Sequence, residues 1–420
     1  MTPIDKIAAC VAAVWCCTAC TGPTAAPQGT GSSVADVNAD TPATIADLQD
    51  TGDSVQEAAG VGADVAEAPE ALGDTAAAKT TIWVHHPKPV ALALRGAIAP
   101  LSWSADFAPQ ALTATAARFD VPAASGPFQV KPLANGAWSL GANFVVQLNQ
   151  PRAIYPYFDA KVSAPRRNDF SLPGPDGQPR TVRVRLPAGY DENTLATYPL
   201  RVMFDGQNVF DAQTATFGVA WEVDDAIDAS MAQAKFQEVV VAAIDHGGGK
   251  RIYEYTPWAD AKNAGGGGEA HLTWIHAQVL PALGKKYRLQ AGAQTRCIGG
   301  SSLGALMTLY ALGAHPDQWS CGLAMSGAWW WADLKVLSWL ATAPGSASHP
   351  RLWLDVGTVK DGLEDTQAVR DKLLSLGWQQ PASLGYLEAK GADHSEKAWA
   401  ERAPMALQFL FDPHDRAKPF

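Results

Sequence analysis

The rhythm of apolar and polar positions divides this chain of 420 residues into unlike stretches. Between residues 80 and 158, short alternating runs (Thr81–Val84, Val90–Arg95, Phe128–Leu133, Asn143–Leu148) are separated by Pro, Gly and Asn, and no long amphipathic stretch interrupts them. Period-two alternation broken by turn residues predicts short strands, and therefore a small all-β sandwich over 79–160. From Arg166 the pattern changes. Apolar runs at Val182–Leu186, Leu200–Phe204, Glu238–Ile244, Thr295–Gly299, Cys321–Met325, Arg351–Val356 and Ser383–Leu387 alternate with helical stretches. Those helices are predicted at Trp221–Ala232, Ala270–Leu283, Leu303–Gly313, Asp365–Leu376 and Ser395–Phe411. Strand–helix alternation is what βαβ units require, and near-continuous apolar strands fit a sheet covered on both faces. The predicted fold class is α/β over 166–412, with a mostly parallel central sheet.

The start of the chain follows neither rhythm. In residues 1–20, Lys6 precedes a short apolar run, Ile7–Trp15. The run is too short to span a bilayer and predicts an export signal. Residues 21–78 are rich in Ala, Thr, Gly, Pro and Asp, hold ten acidic residues and contain no Lys or Arg. Such a stretch cannot bury enough apolar surface to offset chain entropy, so a disordered acidic spacer is expected. It also holds the whole net charge of −10, leaving 79–420 formally neutral. A neutral folded part offers no electrostatic footprint for nucleic acid. Cys17-Thr18-Ala19-Cys20 resembles a bacterial lipoprotein cleavage box, although Cys17 stands where Leu is usual. The resemblance implies a lipid on Cys20 and a membrane tether, so the expected location is the cell envelope or the exterior.

The chemistry centres on Gly300-Ser301-Ser302-Leu303-Gly304, between a predicted strand and a predicted helix. Gly-x-Ser-x-Gly in that setting makes a turn too sharp for bulky flanks and presents a serine at the carboxyl edge of the sheet, as in the α/β-hydrolase fold. Ser302 is the candidate nucleophile. His394 follows the last predicted strand and is the candidate base; His246, His271 and His276 all precede the serine and fit the chain order worse. Four carboxylates compete as the acid: Asp355 within an apolar strand, Asp361 just beyond it, and Glu364 and Asp365 as possible N-terminal helix charges. Asp361 is the choice. Backbone N–H groups of Leu303 and of Gln207, in the loop Phe204–Asp211, are the candidate oxyanion donors.

Asp205-Gly206-Gln207-Asn208, Trp221-Glu222-Val223-Asp224, Arg251 through Tyr253–Pro257, Gly299–Gly304 and Gly391–Trp399 together resemble the Putative esterase family, which includes esterase D, feruloyl, acetylxylan and enterochelin esterases. The resemblance covers roughly 166–412 and implies Ser302 as nucleophile and His394 as base. It departs at the acid: the family position, three after the glycine of the Gly-Thr turn, is Lys360 here, and Asp361 comes one later. Tyr253–Trp258, Gly265–Gly268 and Trp329–Trp331 are expected to rim the cleft, with Trp221, Tyr255 and Trp329 touching substrate. The expected reaction is two-step ester hydrolysis on feruloyl, siderophore or carbohydrate-linked esters, needing no metal or organic cofactor. Acyl transfer by the same residues is the alternative, and a non-catalytic glycan-binding protein is a third reading.

The earlier stretch has its own resemblance. Leu94-Arg95-Gly96, Pro100–Trp103, Trp138–Asn143 and Ile154–Phe158 resemble starch-binding-type carbohydrate modules, which implies glycan stacking on Trp103 and Trp138. His85-His86 is read as an exposed strand end without a metal. Cys297 and Cys321, each five residues before a serine, are expected side by side as buried thiols rather than as a disulfide.

Overall fold

The computed structural model describes residues 79–122, 127–232 and 238–411. The expected export signal, Cys20 and the acidic spacer lie outside the described residues, which all belong to one compact unit.

Eight short strands come first: β1 (Lys79–His85), β2 (Leu92–Gly96), β3 (Ala111–Leu112), β4 (Ala116–Pro122), β5 (Phe128–Ala134), β6 (Ala137–Trp138), β7 (Phe144–Val146) and β8 (Arg152–Ile154). They form two four-stranded sheets, one ordered β3-β4-β1-β8 and the other β2-β5-β6 with β7 also on β5. Alternate residues point inward. Ile82 and Val84 of the first sheet share one buried cluster with Leu94 and Val130 of the second. The strand end at His85-His86 is not exposed, contrary to expectation. The loop before Leu200 covers it: Asn193 Nδ2 donates to the carbonyls of His85 and Pro156, and Glu192 lies 3.7 Å from His86 Nε2. His86 is buried, its ring edge-on to Phe158.

The main sheet contains β9 (Arg166–Arg167), β10 (Phe170–Pro173), β11 (Pro179–Leu186), β12 (Leu200–Met203), β13 (Val240–Ile244), β16 (Arg296–Ser301), β17 (Cys321–Met325), β18 (Arg351–Gly357) and β19 (Leu384–Ala389). A two-stranded ribbon, β14 (Ala259–Asp260) with β15 (Ala264–Gly265), sits outside it. The order is β10-β11-β13-β12-β16-β17-β18-β19, with β9 beside β11. Pairing is antiparallel from β10 to β13 and parallel from there to β19.

The continuous apolar strands are explained by two-sided packing. Val240, Ala242 and Ile244 join one buried cluster, while Val241 and Ala243 join another on the opposite face. Each fully buried Val, Leu or Ile contributes roughly 1.5–3 kcal/mol relative to an exposed one. The helix Leu303–Ala314 is buried almost all round, as its position over the sheet centre demands. The helix expected at Ala270–Leu283 runs as Gly268–Trp274, a π turn at Ile275–Val279 and then Leu280–Lys286. Pro281 lacks an N–H, which removes one i→i−4 bond where the wider turn ends. This mixed sheet with helices on both faces is an α/β-hydrolase-like fold.

The cysteine reading needs correction. Cys297 and Cys321 are direct partners across β16 and β17, with Cα atoms 4.6 Å apart, and they are joined as a disulfide. The parallel register brings them inside the Cα range that a disulfide spans.

Candidate active site

The site is assembled where the parallel strands end. β16 stops at Ser301, the helix begins at Leu303, and Ser302 forms the corner with φ 57° and ψ −120°. A non-glycine residue held there costs about 1–3 kcal/mol, and the surroundings must hold it in place. They do so through the backbone. Ser302 N–H donates to Met325 O at 3.0 Å, and Ser302 O accepts from Ala305, Leu306 and Ala328. The flanking glycines are required by crowding: a Cβ on Gly300 would lie 3.0 Å from Phe204 Cβ and 3.2 Å from Gly304 backbone.

Asp361 follows β18 and is buried. Its Oδ1 lies 2.5 Å from His394 Nδ1, while its Oδ2 accepts from Ser326 Oγ at 2.6 Å and from Gly357 N–H at 2.5 Å. The other carboxylates are placed elsewhere. Asp355 is fully buried on β18, bonded to Trp353 Nε1 and Arg402 Nε; burial pushes its carboxyl up, opposed by the Arg402 charge. Glu364 and Asp365 occupy the first turn of the helix Leu363–Ser375. The departure at Lys360 has a backbone explanation. Lys360 takes φ 52°, a left-handed turn immediately before Asp361. Ser326 also sits at positive φ, 47°, at the end of β17, and its N–H donates to Asp355 O.

His394 lies between β19 and the helix Glu396–Phe411, with its side chain 39% exposed and its ring edge-on to Trp399 at 5.0 Å. Among the described residues no hydrogen bond within 3.5 Å joins Ser302 Oγ to His394. Glu396, at the start of that helix, has its carboxyl pushed up by burial, with the His394 charge opposing.

The opposite wall is the loop after β12. Asp205 takes φ 55° and opens the 3-10 turn Gly206–Asn208. Its carboxylate holds Arg251 through two bonds of 2.7 and 2.8 Å, and its N–H donates to Tyr255 Oη at 3.0 Å. Burial disfavours the charged Arg251, but the Asp205 charge and hydrogen bonds outweigh it and push the guanidinium up. Gly206 has no room for a Cβ, which would meet Ala243 backbone at 2.6 Å. A Cβ on Gly304 would lie 3.6 Å from Asp205 Oδ2, so this loop rests beside the first turn of the serine helix. The Gln207 side chain is engaged with His246 N–H and Thr216 Oγ1, and its carbonyl accepts from Thr214 Oγ1. Leu303, as the first helical residue, has an N–H with no intrahelical acceptor.

Three expected substrate contacts are corrected. Trp221, Tyr255 and Trp329 are only 1%, 0% and 0% exposed, so they offer no surface to a ligand arriving from solvent. Trp221 packs edge-on against Trp399, Tyr255 holds Asp205, and Trp329 Nε1 donates to Thr366 Oγ1. An aromatic beside a motif is as well suited to supporting the loop as to touching a substrate, and here burial decides for support. The segments around Trp258, Gly265 and Trp331 do meet: Trp331 Nε1 donates to Trp258 O, and Gly265 abuts both Thr256 and Trp331. Of the segments expected to rim the cleft, Tyr253 is exposed; Phe217 and Val359, also exposed, do not stand out in the sequence because isolated exposed apolar residues carry no periodic signal.

Comparison with known proteins bears on the family rather than on the site. Residues 176–410, more than half of the chain, match the Putative esterase family. The uncharacterized protein YbbA of Bacillus subtilis (strain 168) is 23% identical over 55% of this chain and 92% of its own length. The siderophore triacetylfusarinine C esterase of Aspergillus fumigatus is 27% identical over 42% of this chain and 60% of its own. A solved ferulic acid esterase is 18% identical, with a TM-score of 0.49, over 59% of this chain and 98% of that one. The protein therefore belongs to the Putative esterase family and is a carboxylic ester hydrolase.

Proposed function

We propose that the protein is an exported serine esterase in which Ser302, His394 and Asp361 act as nucleophile, base and orienting acid. The observation that carries this reading is the 2.5 Å contact of Asp361 with His394 Nδ1, which leaves Nε2 for the serine side. Ser302 attacks the ester carbonyl as His394 Nε2 takes its proton, and the N–H groups of Leu303 and Gln207 receive the oxyanion. The protonated imidazole then gives its proton to the departing alcohol. Water, deprotonated by His394, releases the acid in the second step. Closing the gap between Ser302 and His394 belongs to substrate binding, since catalytic hydrogen bonds often tighten only in the complex.

The proposed substrates are esters of the siderophore or feruloyl type. The named fungal relative supports the first. The buried Cys297–Cys321 disulfide supports an oxidising compartment, in keeping with export and a lipid on Cys20. A fluorophosphonate probe is expected to label Ser302 in the intact chain, with turnover of siderophore or feruloyl esters above that of simple acetyl esters. No labelling, or labelling at another serine, would refute the assignment.

A second binding role has its own observation. Trp103 and Trp138 are 41% and 40% exposed, with ring centroids 6.3 Å apart. Arg95 lies 5.0 Å over the Trp138 ring and is anchored by Asp106 at 2.6 Å. Adjacent exposed indoles offer stacking faces for a sugar. The full-length protein is expected to be retained on an insoluble polysaccharide, and Trp103→Ala with Trp138→Ala to abolish retention while ester turnover persists. Equal retention of the double variant would rule the surface out.

A further inference from the structure

The acid of the site is held by a buried polar network that the reaction as described does not use. Asp355, Ser326 and Arg402 are all buried, and with Asp361 they place two carboxylates around one guanidinium. Arg402 Nε donates to Asp355 Oδ1 at 3.1 Å, and its Nη2 donates to Ser326 Oγ at 2.7 Å. The same Nη2 is 3.9 Å from Asp361 Oδ2. Trp399 Nε1 also donates to Ser326 Oγ, at 2.9 Å.

These contacts determine where one hydrogen points. Arginine and the indole N–H are donors only, so Ser326 Oγ accepts from both. Its own hydrogen then has one remaining partner, Asp361 Oδ2, at 2.6 Å. Gly357 N–H fills the rest of that oxygen. With Oδ2 occupied by two donors, Oδ1 is the oxygen left to His394.

We infer that Arg402 is a positioning residue of the esterase site, acting through the Ser326 hydroxyl to hold Asp361 with Oδ1 toward His394. The inference rests on Ser302, His394 and Asp361 acting as proposed above. Charge alone does not explain the arrangement. A guanidinium can donate in two directions from one plane, toward Asp355 and toward Ser326, whereas a lysine ammonium at the end of a flexible stem does not reproduce that fork. Removing Arg402 outright would leave two buried carboxylates uncompensated and endanger folding. The informative variants are therefore Arg402→Lys, which keeps the charge, and Ser326→Ala, which removes the hydroxyl.

The test is a double-mutant cycle in kcat on a p-nitrophenyl ester, with proton NMR of the His394 Nδ1–H signal in each protein. Each single variant is expected to lower kcat about tenfold with KM unchanged, and the double variant to lose about tenfold rather than a hundredfold, because both changes break the same relay. The far-downfield imidazole proton is expected to move upfield or broaden in both. Unchanged kcat and an unmoved proton, or losses that multiply in the double variant, would overturn the inference. Should Arg402→Lys fail to fold, Ser326→Ala still overturns the inference if kcat and the proton are unchanged, because Arg402 acts through that hydroxyl. Ser302→Ala, run alongside, separates the readings: if it stays active the esterase assignment fails, and if it is dead while the relay variants are normal only the relay fails.

Discussion

Ser302→Ala is expected to reduce kcat on a p-nitrophenyl ester by roughly 10³-fold or more, with thermal stability almost unchanged. The size follows from the proposed role as nucleophile. Without the hydroxyl no acyl-enzyme forms, and only binding and the oxyanion donors remain to assist water. The unchanged stability follows from the geometry. Ser302 is positioned by its own backbone N–H and C=O rather than by its hydroxyl, and alanine tolerates φ 57° no better and no worse than serine. Ser302→Gly sharpens the test. Glycine enters that region without the Cβ penalty, so this variant is expected to be equally inactive yet about 1 kcal/mol more stable. An inactive enzyme that melts higher would show that the strain at the corner is kept for chemistry. Activity of Ser302→Ala within tenfold of the parent would exclude Ser302 as nucleophile.

Asp361→Asn is expected to reduce kcat by about 10⁴-fold while the protein still folds. The network dictates how the amide must sit. The Oδ2 position faces two donors, Gly357 N–H and the Ser326 hydroxyl, so the amide oxygen has to occupy it. The NH₂ group is then turned toward His394 Nδ1. A donor there forces the other tautomer, with Nε2 protonated and unable to take the serine proton. Folding survives because Asp355 and Arg402 still balance one another. Circular dichroism and a pH–rate profile check both halves, and a variant within tenfold of the parent would show that the observed Asp361–His394 contact is not used in turnover.

Much of this is legible in the sequence alone. The predicted strand Cys321–Met325 agrees with β17 residue for residue, and Leu303–Gly313 falls one residue short of the observed helix. Both segments are long, apolar and bounded by turn residues, so local pattern and tertiary burial favour the same answer. Short edge strands such as Phe170–Pro173 escape the pattern because four residues ending in proline are too few to establish a period. The pair Ser302 and His394 was readable from a motif and from chain order. The choice of Asp361 among Asp355, Asp361, Glu364 and Asp365 was made from its place just beyond a strand end, and the contact with His394 Nδ1 is what only the folded chain shows.

By itself the sequence determined the alternation of strands and helices, the glycine-flanked serine corner and the late histidine, because each depends on contacts close along the chain. Tertiary structure alone decided the rest. It buried Trp221, Tyr255 and Trp329, paired Cys297 with Cys321, turned Lys360 so that Asp361 meets His394, and brought Arg402 and Ser326 behind that acid. The reason is distance along the chain. Ser326, Asp361 and Arg402 come from three separate elements, and only the register of the parallel strands and the helix packed across them sets which of their polar atoms meet.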